Sequence, residues 1–89
     1  PRTNLRINAR DLREGEVGLN FAESHLHSQG SLNLSDKGDL AEAAANLFDY
    51  LHKLDEWALA NHSTTIAVAE IPNQSIGLAI NDRLSRAAE

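Results

Sequence analysis

His25 and His27, two positions apart in a polar stretch, and His52 and His62 further along are the imidazoles on which a metal site would draw. On an extended loop a His-x-His pair sends its rings to opposite sides, and no carboxylate pattern nearby completes a ligand set. His25 and His27 therefore stand as the metal candidates, with exposed loop histidines as the plainer reading. The chain has no cysteine, which excludes a thiolate nucleophile, disulfides and sulfur-ligated zinc. Glycines at 15, 18, 30, 38 and 77 fit neither the phosphate-loop nor the dinucleotide spacing. Ser75-Ile76-Gly77, placed between a strand and a helix, offers backbone amides to an anion, although the same residues describe a simple turn. No catalytic residue is assigned, because no nucleophile and base, and no carboxylate pair, converge in the pattern.

Charge gives a second set of candidates. The 89 residues carry a net charge of −5, which argues against non-specific nucleic-acid binding. Arg2, Arg6, Arg10 and Arg13 against Asp11 alone give residues 1–13 a net +3, leaving −8 for residues 14–89. Such a basic lead-in suits packing against an acidic surface and makes Arg2, Arg6 and Arg10 candidates for contact with a partner domain; a solvated strand face has the same composition. Asp82 and Arg83 are placed to pair locally or with a neighbour. Of the four aromatic residues, Phe48, Tyr50 and Trp57 share one helical segment at core-like spacing, so they form no base-stacking platform.

The elements that must hold these residues follow from periodicity. Leu5-Arg6-Ile7-Asn8 and Val17 to Phe21 alternate as strands, and Ser31 to Ser35 alternates again, with Leu32 and Leu34 on one face. Ala22 to Gly30 reads as a polar loop. Leu40, Ala44, Leu47, Leu51, Leu54 and Ala58 trace one stripe of a long helix, flanked by Phe48 and Trp57 and ending near Asn61-His62. Asp39 and Glu42 resemble a capping box, and Asp49 with Lys53 makes an exposed pair. Thr64 to Ile71, rich in β-branched residues, reads as a central strand covered on both faces. Ser75 is placed to cap a second helix with Ile76, Ile80, Leu84 and Ala87 on one face, weakened locally by Gly77.

A helix joining two strands favours a parallel crossover. The order therefore predicts a single α/β domain over residues 1–89: a small, mostly parallel, Rossmann-like sheet of about four strands, with helices on one or both faces. No stretch has the length or flanks of a membrane span or signal peptide, so a soluble, cytoplasmic protein is expected.

Gly38-Asp39-Leu40, Glu42 to Phe48, Leu54-Asp55, Ile66 to Ala69 and above all Ala79-Ile80-Asn81-Asp82-Arg83-Leu84-Ser85-Arg86-Ala87-Ala88 resemble the C-terminal domain of the long form of threonylcarbamoyl-AMP synthase. Leu32 to Ser35 also fits. The resemblance makes Pro1 the last residue of an interdomain linker motif. It implies a Rossmann-like accessory domain whose partner is the catalytic domain of the same polypeptide. That domain binds ATP and makes threonylcarbamoyl-AMP from threonine and bicarbonate for tRNA modification. It lies outside these residues, so no cofactor is expected in this domain and the fragment alone is expected to be inactive. A linker that approaches the active site suggests a lid-positioning or regulatory role. Gln74-Ser75-Ile76 departs from the acidic-Gly-Leu more usual before the last helix. The alternative expectation is an autonomous nucleotide- or anion-binding sensor using Ser75, Ile76 and Gly77. Loss of a partner domain would also expose apolar surface and favour self-association.

Overall fold

The first two strands follow from simple alternation and the last from a run of apolar residues. In the computed structural model, which describes residues 2–89, they are β1 (Asn4–Ala9), β2 (Glu16–Asn20) and β4 (Thr65–Ala69), with a two-residue β3 (Leu32–Asn33) between. Pro1, the expected end of a linker, lies outside the described residues. Helix α1 (Leu40–Ala60) connects β3 to β4, and α2 (Ile76–Ala88) ends the chain. The sheet order is β1-β4-β2-β3 and every neighbouring pair is parallel.

The strand expected over Thr64 to Ile71 forms as the shorter β4, Thr65–Ala69, and is interior as expected, with Ile66, Ala67 and Val68 fully buried. Register shows how its two faces are filled. Leu5, Ile66 and Val17 lie in one row, and Arg6, Ala67 and Gly18 in the next row on the opposite face. α1 packs on β2 and β4, α2 packs on β1, and the helices touch each other, so both cover one face. The other face is covered by the polar stretch after β2. Leu26 within it is 1% exposed, and a Cβ at Gly18 would lie 2.0 Å from the Leu26 carbonyl oxygen. Asn20, also buried, donates from Nδ2 to that carbonyl at 2.8 Å and accepts from the Leu26 amide at 2.7 Å. Ala22 to Gly30 is thus irregular, as expected, yet it forms the second lid of the core.

Other expectations require correction. The strand expected over Ser31–Ser35 is regular only at Leu32–Asn33; beyond it the Ser35 amide donates to Asn33 Oδ1 at 3.0 Å while the Ser35 carbonyl still accepts from the Ala22 amide at 2.9 Å. On α1, Leu47, Leu54 and Ala58 are buried, but Ala43 replaces Ala44 in the stripe. Phe48 leaves the core and is 81% exposed. Asp39 does cap α1, accepting from the Ala41 amide at 2.9 Å. Glu42 closes the box indirectly: it accepts from the Ser35 hydroxyl, which itself accepts from the Asp39 amide at 2.9 Å. Ser75 makes no side-chain cap; its φ of 54° holds it in the left-handed region and its side chain caps no amide. Asp49 and Lys53 pair as expected at 3.1 Å, whereas Asp82 pairs with Arg86 at 3.2 Å and not with Arg83.

Candidate functional site

The most constrained polar contact binds the start of the chain to α1. Asp55 sits among the apolar residues of α1 and is 6% exposed. Its Oδ1 accepts from the Thr3 backbone amide at 2.8 Å and from the Thr3 hydroxyl, while Arg2 Nε lies 3.7 Å from Oδ2. Burial pushes the Asp55 carboxyl up, but the Thr3 hydroxyl and the Arg2 and Thr3 amides outweigh it and hold the group down at about 2. The segment entering β1 is thereby clamped to the helix as an anion acceptor would clamp a ligand.

The arginine candidates do not form one patch. Arg6 is half-buried and makes a two-pronged contact with Glu16, Nε and Nη2 each 2.7 Å from a carboxylate oxygen. Glu16 also accepts from the Arg13 amide at 2.8 Å. The bond from Arg6 holds the Glu16 carboxyl below its ordinary range and raises the guanidinium in return. Arg10 pairs with Glu70 at 2.8 Å near the carboxyl ends of β1 and β4. Arg2 and Arg10 bracket β1, which at ~3.3 Å per residue places them roughly 25 Å apart.

His25 and His27 face each other edge-on with ring centroids 6.2 Å apart. Among the described residues, no group of three His, Cys, Asp or Glu side chains is placed to hold a metal ion. At the anion candidate, the Gly77 amide is taken by Gln74 O at 2.9 Å, and the next amide, of Leu78, by Ser75 O at 3.1 Å. Gly77 answers a packing need: a Cβ there would lie 1.8 Å from the Pro72 carbonyl oxygen.

Two recesses stand out among the described residues. An apolar groove of about 910 Å³ runs between the helices, lined by Leu47, Phe48 and Leu51 of α1 and by Ala79, Ile80 and Arg83 of α2. A polar cleft of about 690 Å³ lies where β1 and β4 end. Sequence reasoning found neither. The spacing of Phe48 suggests a core residue, and the cleft is assembled from single asparagines of β1, the segment after β4 and α2. No helix is long and apolar enough to cross a membrane among the described residues.

The small parallel sheet with its long crossover helix is the Rossmann-like arrangement that the sequence resemblance implied. No curated protein and no solved structure matches the chain. Residues 2–89 do match a family model described as threonylcarbamoyl-AMP synthase, C-terminal domain. With the match spanning every described residue and the fold in agreement, the chain belongs to the family of threonylcarbamoyl-AMP synthase C-terminal domains.

Proposed function

We propose that this domain is an accessory part of a cytoplasmic threonylcarbamoyl-AMP synthase, docking on the catalytic portion of the same polypeptide and steadying the linker between them. The synthase makes threonylcarbamoyl-AMP from threonine, bicarbonate and ATP, releasing pyrophosphate, for tRNA threonylcarbamoyladenosine. The nucleotide and all reacting groups belong to the catalytic portion, and this domain supplies position.

The observation that carries this reading is the Thr3–Asp55 clamp, which fixes the entry of the chain on the side of α1. Phe48 is seven residues before Asp55, two helical turns and ~10 Å away on the same side. Thr3 is therefore held within two helical turns of the groove, and Phe48 and Leu51 are the apolar anchors we assign to the contact, with Arg2 and Arg83 as charged neighbours. Arg6 is committed to Glu16 and acts by holding β1 to β2. The alternative reading, an anion or nucleotide sensor at Ser75 to Gly77, has less support because the Gly77 amide already has a partner.

The test is threonine- and bicarbonate-dependent pyrophosphate release from ATP by three polypeptides: this domain, the catalytic portion, and the two joined. Activity in the joined chain well above that of the catalytic portion is expected. Equal activity in those two overturns the reading.

A further inference from the structure

β1 and β4 run side by side in the same direction, so both release the chain at one edge of the sheet, where open α/β sheets form ligand crevices. Between Arg6↔Ala67 and Ala9↔Ala69, β1 spends one residue more than β4. This bulge holds Asn8 at a φ of 54°, a conformation asparagine tolerates better than most side chains. The strand end is displaced from its neighbour, and the polar cleft opens there, lined by Ile7 and Asn8 of β1, by Ile71 and Asn73 after β4, and by Asn81 and Ser85 of α2.

The hydrogen bonds fix what the cleft offers. Asn81 Nδ2 donates to the Ile71 carbonyl at 3.0 Å and to Asn73 Oδ1 at 3.3 Å. A carbonyl only accepts, so the Asn81 amide has one orientation, with Oδ1 left as an acceptor and Asn73 Nδ2 left as a donor. Among the described residues neither atom has another partner, nor do the Asn8 amide and the Ser85 hydroxyl. Asn81 and Ser85 are one turn apart on the same side of α2. The one carboxylate lining the cleft, Glu70, is neutralised by Arg10 at 2.8 Å. Neutral donors and acceptors beside the aliphatic walls of Ile7 and Ile71 suit an uncharged flat molecule that presents a donor and an acceptor on one edge. Asparagine amides read nucleobase edges through such a donor and acceptor, supplied here by Asn73 Nδ2 and Asn81 Oδ1 together, and the open recess of about 690 Å³ has room for a base.

We propose that the cleft at the ends of β1 and β4 binds a nucleobase, presented as a free nucleoside, through Asn8, Asn73 and Asn81, with no phosphate contact.

The experiment is a ¹H–¹⁵N NMR titration of the 89-residue chain with adenosine, guanosine, cytidine and uridine, and separately with inorganic phosphate. At least one nucleoside is expected to shift the side-chain amides of Asn8, Asn73 and Asn81 with a Kd in the millimolar range or below, while phosphate leaves them in place. Asn8→Gly suits the positive φ and keeps the bulge, so it removes only the amide; it is expected to weaken the nucleoside about tenfold, and Ser85→Ala to weaken it less. No shift of these amides with any nucleoside up to about 10 mM overturns the proposal. So does an Asn8→Gly variant that binds as the parent does, or an equal response to phosphate.

Discussion

Thr3 and Asp55, 52 positions apart, meet through a single carboxylate oxygen that accepts both the amide and the hydroxyl of Thr3. One buried acidic side chain thus closes the loop of the whole fold, tying the residue before β1 to the second turn from the end of α1.

That contact should make stability depend on acid. A folded value of about 2 against the ordinary 3.8 favours the ionised, folded form, and the difference corresponds to ~2 kcal/mol. The contribution is complete above pH ~4 and is lost as pH falls through about 2. Asp55→Ala should cost about 2–3 kcal/mol at pH 7, since it strands two donors of Thr3. Urea midpoints measured from pH 7 to pH 2.5 check both statements: the parent should lose more stability over the acid limb than the variant does.

Arg6 and Glu16 make a second, differently built bond. Glu16 has a side chain only 6% exposed and depends on the guanidinium for its charge. Arg6→Ala should therefore destabilise the chain by about 2–3 kcal/mol, and replacing both residues by leucine should restore much of the loss, because the cost comes from an uncompensated buried charge. The Glu16 carboxyl lies below its ordinary range in the parent, so its stabilisation holds above that range and fades as pH falls through the lowered value. Carbon-detected NMR titration should show it moving upward in Arg6→Ala.

The regular elements were legible because their signals are local. The alternation in Val17 to Phe21, the stripe through Leu47, Leu54 and Ala58, and the β-branched run at Thr64 to Ile71 each depend on neighbours within a turn or a strand. What escaped depends on distant partners. Asp55 reads as one more polar residue on a helix until Thr3 is brought beside it. Leu26 is a lone apolar residue in a polar loop, and only the bare Gly18 opposite allows it to seal the sheet. Phe48 followed the helical spacing but lies on the flank of α1 that lines the groove beside α2, where it stays 81% exposed. The cleft required a bulge, and nothing in Asn8 itself announces one.

Gly77 separates local propensity from packing. On propensity alone Gly77→Ala in α2 should stabilise by up to ~1 kcal/mol. A Cβ placed 1.8 Å from the Pro72 carbonyl oxygen forces the backbone apart instead, and overpacking of this kind costs typically about 1–3 kcal/mol or more. The expected net result is a loss of at least about 1 kcal/mol, read as a lower urea midpoint with an unchanged slope.

Phe48 should behave in the opposite way, because it lies outside the core and is an anchor of the proposed docking contact. With 81% of its surface exposed, it has little apolar area to lose on truncation, so Phe48→Ser should change the stability of the 89-residue chain by no more than ~0.5 kcal/mol. In the joined synthase the same substitution should loosen the domain on its catalytic portion. Aromatic anchors in a docking groove typically cost ~2 kcal/mol or more when removed, which is roughly a thirtyfold weaker association between separately prepared halves. Measuring that affinity by calorimetry, beside the unfolding of the isolated chain, distinguishes the two roles. A large stability loss in the chain would return Phe48 to the core, and an unchanged affinity would remove the groove between α1 and α2 from the interface.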